Sequence, residues 1–168
     1  GTLFSFNTTS NTLTKKADFT TTIGRDLRGS LVIAPNGNLY GMSYAGGTQL
    51  MGALFEYNPS SNTLTNKVSL DSVNTGKNSF GSLFLANNGL MYGMTNSGGL
   101  SNRGVLFTYD YTNNTMSKLK DLATNQQGYY PTFLVDGLNG KLYGATAADE
   151  YGEGYGSFFE FDTSTKIF

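Results

Sequence analysis

The chain has no cysteine, no histidine and no tryptophan. Without Cys there are no disulfides and no thiolate to act as nucleophile or ligand, and the redox compartment leaves no mark. Without His, the commonest general base and the commonest metal ligand are missing, so Ser-His and Cys-His nucleophile systems are excluded. Charge is scarce as well: Asp, Glu, Lys and Arg make up 14% of 168 residues, with a formal net charge of −1. That near balance predicts neither nucleic acid nor an anionic membrane as partner. No apolar run approaches the ~20 residues of a membrane-spanning helix, so no membrane insertion is expected. Gly140-Lys141 lacks the earlier Gly of a phosphate-binding loop. No window carries a helical apolar stripe with caps at both ends, so no helix is predicted.

What is present is glycine (22), phenylalanine (12) and tyrosine (11), with frequent Asn, Thr and Ser. The stretch Gly37–Gly52, GNLYGMSYAGGTQLMG, returns as Gly89–Gly104, GLMYGMTNSGGLSNRG, and, altered, as Gly140–Gly156, GKLYGATAADEYGEGYG. A second motif occurs four times: Gly1–Phe6, Gly52–Tyr57, Gly104–Tyr109 and Gly156–Phe161. Its starts at residues 1, 52, 104 and 156 set a period of about 52 residues, so the chain is a tandem array.

Each period reads as strands joined by turns. In the four-fold motif Phe4/Phe6, Phe55/Tyr57, Phe107/Tyr109 and Phe159/Phe161 share one face of the pleat. The turn after it begins with Asn7, Asn58, Asp110 or Asp162, whose side chains can accept nearby backbone N–H groups. Calcium ligation by these acids is the other reading, but Asn replaces Asp freely and no full ligand loop follows. A polar Thr/Lys strand comes next (12–19, 63–70, 115–122), fitting a solvent-facing edge. An apolar strand follows a variable connection (31–34, 83–86, 133–135) and is expected to be buried on both faces. The last strand (38–42, 90–94, 141–145) always carries Tyr then Gly, and the Phe/Tyr face of one unit is expected to pack against the Gly face of the next.

Four strands per period, joined in an up-and-down meander, are the pattern of a β-propeller blade. The predicted fold is therefore all-β: a β-propeller segment of four-stranded antiparallel blades, about three and a half of them, partial or open. Residues 1–23 supply half a blade, 29–70 and 81–122 complete blades, and 131–168 a blade with its last strand truncated. The apolar strand should line the centre and the polar strand the rim.

The motifs G-x-L-Y-G-x-T-x-x-G-G and G-x-[LIV]-F resemble those of the bacterial tandem-repeat family called the Gloeo/Verruco repeat. Gly89–Phe107 and Gly37–Phe55 match, the latter with Ser43 for Thr, whereas Gly140–Phe159 keeps Leu-Tyr-Gly and Thr146 but loses the Gly-Gly. The resemblance implies propeller segments of large secreted or surface bacterial proteins and no defined catalytic residues. Kelch repeats are similar in style, although the chain lacks their Trp and their Gly-Gly placement.

Two functions follow as expectations. The first is a non-enzymatic module of a secreted or cell-surface bacterial protein, acting in scaffolding, adhesion or protein interaction. Its partners would be further blades of the same parent chain or another protein. The second is a propeller that binds or cleaves a glycan through its variable loop face. In a four-stranded blade that face carries the loop after the Tyr-Gly strand and the connection between units, and these vary most here. The candidate ligand-binding residues are Tyr129, Tyr130, Asp149, Glu150, Tyr151 and Glu153, which place three acids beside tyrosines. No catalytic residue and no cofactor is assigned; calcium would need six or more oxygen ligands, which three acids do not establish. Glu56 and Glu160, at equivalent strand positions, are expected to be Lys-paired or solvent-facing rather than a converging acid pair.

Overall fold

The computed structural model describes residues 1–122, 128–148 and 154–168, and the side chain of Tyr129 is not described. Among the described residues fourteen strands follow one another: β1 (Thr2–Asn7), β2 (Thr12–Asp18), β3 (Arg25–Leu27), β4 (Val32–Ile33), β5 (Leu39–Ala45), β6 (Ala53–Asn58), β7 (Thr63–Ser69), β8 (Phe84–Leu85), β9 (Met91–Met94), β10 (Val105–Asp110), β11 (Thr115–Asp121), β12 (Tyr129–Asp136), β13 (Lys141–Ala148) and β14 (Ser157–Asp162). There is no helix among the described residues.

All strand pairs are antiparallel, and they form four sheets. β1 pairs β2; β3 and β4 both pair β5, which continues through β6 to β7; β8 to β11 form a meander; β12 to β14 form the last sheet. We refer to these sheets as units one to four. β3, short and between units, was not predicted; it ties the connection to the far end of β5 through Arg25↔Ala45 and Leu27↔Ser43.

Local chemistry explains the turns. Asn7, Asn58, Asp110 and Asp162 each accept the backbone N–H groups two and three residues on. The turn then closes through a left-handed residue, Asn11, Asn62, Asn114 or Lys166, at φ of 55–58°. Asn tolerates that conformation better than most residues. A bulge recurs at the same place in three units, between Leu3/Phe4, Leu54/Phe55 and Leu106/Phe107.

Two packing expectations need correction. The glycine after the Tyr does not receive the neighbouring unit. It lies directly opposite the Phe of its own unit, as Gly41↔Phe55, Gly93↔Phe107 and Gly144↔Phe159. The ring rests on the bare backbone: a Cβ on Gly93 would stand 2.6 Å from Phe107 Cζ. The Phe/Tyr face packs instead on the Tyr/Met face of the preceding unit. Phe107, Tyr109 and Met91 meet Tyr40, Met42 and Leu54, and Phe159, Phe161 and Leu142 meet Tyr92, Met94 and Leu106. Tyr40 lies 6.0 Å from Tyr109 and 5.9 Å from Tyr111 between ring centroids.

The apolar strand is not buried on both faces either. Leu83, Leu134 and Ala34 are buried, but Ile33, Phe133 and Val135 are exposed. β4 and β8 are two-residue strands whose Val32, Phe84 and Leu85 are only half-buried, packed on the core from one side.

The array leaves two unlike ends open. Phe4 and Phe6 are 59% and 53% exposed, whereas their counterparts Phe55, Tyr57, Phe107 and Tyr109 are 0–4% exposed. At the other end Phe158 is exposed and stacks on Tyr143.

Candidate functional site

The buried Ser or Thr of the Tyr-Gly-x-Ser/Thr motif serves the scaffold. Ser43 Oγ, Thr95 Oγ1 and Thr146 Oγ1 accept the N–H of Ala53, Val105 and Ser157 at 3.0, 3.0 and 3.1 Å, clamping the start of the next strand. The Gly-Gly pairs, Gly46-Gly47 and Gly98-Gly99, are backbone turns with positive φ. Gly47 N–H donates to Thr21 C=O and Gly99 N–H to Ser72 C=O, which binds each loop to the connection from the preceding unit. The loop and the connection thus emerge together on one face.

The acids are held in structural roles. Glu56 is half-buried and accepts hydrogen bonds from Tyr40 Oη (2.7 Å) and Asn38, and pairs with Lys67 at 3.0 Å. Burial pushes its carboxyl up, but the bonds from Tyr40, Lys67 and Asn38 outweigh this and hold it below the usual range. Glu160 is paired with Lys141 and accepts a bond from Tyr143 Oη at 2.9 Å; Lys141 first, then Tyr143, lowers it. Neither acid converges on the other. Among the described residues no group of three acids, His or Cys stands together to hold a metal ion.

Asp110 and Asp162 are held down at about 2, the first chiefly by the side chains of Thr112 and Asn113, the second by Ser164 and the N–H of Thr165. A carboxylate lowered in the folded state stabilises the fold above its unfolded range and loses that contribution as pH falls through the folded value. The melting temperature should therefore fall from about pH 4, the ordinary aspartate range, towards about 2. Asp110→Asn, which copies Asn7 and Asn58, should keep the turn and flatten part of that slope in thermal melts across the same range. An unchanged slope would remove Asp110 from the account.

Of the predicted ligand-binding residues, Asp149, Glu150, Tyr151 and Glu153 lie outside the described residues, as does the Tyr129 side chain. Tyr130 is half-exposed on β12 with φ of 59°. It lines a cleft of about 610 Å³ on the loop face, together with Tyr44, Phe80, Asn96, Pro131 and Thr132. Tyr44 and Phe80 are 4.8 Å apart between centroids. The Arg28 guanidinium lies over both rings, at 4.2 and 4.5 Å. Asp26 grips that guanidinium through two hydrogen bonds, at 3.3 and 2.8 Å, and raises its pKa further. Asn96 is 6% exposed; its N–H donates to Asn78 C=O, and its Oδ1 is buried with no hydrogen-bond partner among the described residues.

Sequence reasoning missed Tyr44, Phe80, Asn96 and Arg28. The available signal was positional: Tyr44, Asn96 and Ala147 hold the same place in three units, directly after the clamping Ser or Thr, yet differ in chemistry.

Successive antiparallel sheets, packed face to face at a fixed period with their loops gathered on one face, define a β-propeller-like repeat protein. The chain belongs to the Gloeobacter/Verrucomicrobia repeat family, whose model matches residues 1–159. Among solved structures it is similar to TolB from Acinetobacter baumannii, a β-propeller neighbour, with a TM-score of 0.59 at 14% identity. The match covers 98% of this chain but only 36% of that one. At that identity the likeness is one of fold alone. No curated protein matches the chain in sequence.

Proposed function

We propose that this chain is a run of about three and a half blades of a larger, non-enzymatic β-propeller module in a secreted or cell-surface bacterial protein, working in scaffolding, adhesion or protein interaction. One observation carries the proposal. The array ends in two unlike aromatic faces, and each is a face that is buried against its complement inside the array. Phe4 and Phe6 stand where Phe107 and Tyr109 pack on unit two; Tyr143 and Phe158 stand where Tyr40 and Leu54 receive them. Further blades of a parent chain, or another protein offering the same surface, are the partners that fit. The structural duties of Glu56 and Glu160 support a binding rather than a catalytic role.

Isolated, the chain should self-associate head to tail in sedimentation velocity runs, with association rising with concentration. Phe6→Lys and Phe158→Lys should each weaken it, because a charge buried without a partner opposes docking. A monodisperse monomer at every concentration, unchanged by either substitution, would sink the proposal. Surface placement predicts that an antibody to the chain labels intact cells of the source bacterium; labelling only after lysis would overturn that part.

A further inference from the structure

A second cleft lies between units three and four, at the opposite end of the sheets from the loop face. We infer that it binds an aromatic monoamine, a single ring carrying an ammonium group. The cleft has a volume of about 290 Å³, at the small end of ligand pockets. Ala86, Asn88 and Tyr92 line it from unit three, and Asp136, Leu142 and Thr163 from unit four. β12 and β13 run from it to the loop face, roughly 20 Å at ~3.3 Å per residue. The described residues stop at that far end, at Leu122 and Ala148, and resume there at Gly128 and Gly154.

The neighbouring junction supplies a template. Between units two and three the same place is closed. Leu85 and Tyr111 pack there on the core that includes Ala34, Tyr40 and Met91, and the Tyr111 ring lies 5.9 Å from that of Tyr40. Asp136 pairs with Leu142 as Leu85 pairs with Met91, and Thr163 follows Asp162 as Tyr111 follows Asp110. Unit four therefore has a carboxylate in place of an apolar side chain and a short hydroxyl in place of a phenol ring. The Thr163 hydroxyl is turned to its own unit, donating to Gly140 C=O at 2.7 Å. Tyr92, the counterpart of Tyr40, has no ring from unit four in the place of Tyr111, and the cleft occupies that space.

The two exchanges define the ligand. A single aromatic ring fits where Tyr111 stands in the closed junction, against Tyr92, Ala86 and Leu142. Asp136 sets the charge. It is half-buried, and one oxygen accepts the N–H of Leu138 at 2.8 Å. It forms no ion pair among the described residues, and Lys141 on the next strand is held by Glu160. An ammonium finds its counter-charge there. An anion would be repelled, and a neutral hydrocarbon would cover the carboxylate without pairing it. An alkylamine would leave the face of Tyr92 bare.

The test is an NMR titration of the isotope-labelled full chain, read from amide shifts. Phenethylamine is the probe; propylamine, phenethyl alcohol and phenylacetate are the comparisons, all at millimolar concentration. Phenethylamine should move the amides of Asn88, Leu138 and Thr163 and saturate at a lower concentration than each comparison. Thr163→Tyr, which copies Tyr111, should fill the cleft and abolish these shifts. Asp136→Leu, which copies Leu85, should weaken phenethylamine about fivefold, the upper range for a partly exposed ion pair, and remove its advantage over phenethyl alcohol. Both variants repeat residues that the array already accommodates, so melting temperatures should hold. Should either fail to fold, the ligand comparison on the unaltered chain decides alone. Phe6→Lys, at the end face, should leave the titration unchanged even where it abolishes association, which separates the two proposals. The inference is overturned if phenethylamine moves no amide at the cleft, if any comparison binds as tightly, or if binding survives Thr163→Tyr.

Discussion

Phe107→Ala should destabilise the fold by about 3–5 kcal/mol, the cost of emptying a fully buried aromatic site. Phe107 is 0% exposed. Its ring lies on Gly93, and its outer side meets unit two through the cluster that includes Tyr40, Met42 and Leu54. Truncation would open a cavity bounded on one side by a glycine that has no side chain to fill it, so relaxation is poor. The position has a built-in control. Phe4 is the same residue of the same motif, but 59% exposed, and Phe4→Ala should fall within the ~0.5 kcal/mol of surface substitutions. Urea unfolding followed by tyrosine fluorescence would compare the two midpoints. Because each unit contacts only its neighbours, the loss should appear as decoupling of the second and third units rather than as uniform weakening. Equal losses at both sites would mean that the faces are not packed as described.

The contrast also shows where the sequence was legible. Strand faces followed from alternation and from the 52-residue period, and the turns followed from Asn and Asp chemistry; Asn58 and Asp110 behave alike because both present a side-chain oxygen to the same N–H groups. The partner of each face was not legible. Whether Phe55 rests on Gly41 or on a neighbouring unit depends on cross-strand register, and alternation alone leaves that open. Ile33 and Val135 were misplaced because an apolar run looks the same in a strand covered on both faces and in an edge strand with one face open. The cleft was hidden for another reason. Tyr44 on β5, Pro131 on β12, and Phe80 and Asn96 in two loops of unit three come from three units, and each is bland alone. The acidic loop, by contrast, stood out by composition, and its Asp149, Glu150, Tyr151 and Glu153 lie outside the described residues.

Gly104→Ala should cost about 3 kcal/mol or more, combining a strained backbone with overpacking. Gly104 opens β10's motif at φ of 107°, and a Cβ there would stand 2.1 Å from Thr95 C=O. Gly52 and Gly156 meet the same obstacle, at 2.6 Å from Ser43 O and 2.5 Å from Thr146 O. A fixed glycine at this place therefore follows from geometry: the strand's first residue must pass against the carbonyl of the Ser or Thr that clamps its second. Gly89→Ala is the comparison. Gly89 also has positive φ, 81°, but no atom lies within 4 Å of its Cβ position, so only the ~1 kcal/mol of left-handed strain should appear. Thermal melts of both variants read the difference, and equal shifts would show that the Thr95 carbonyl is not the cause.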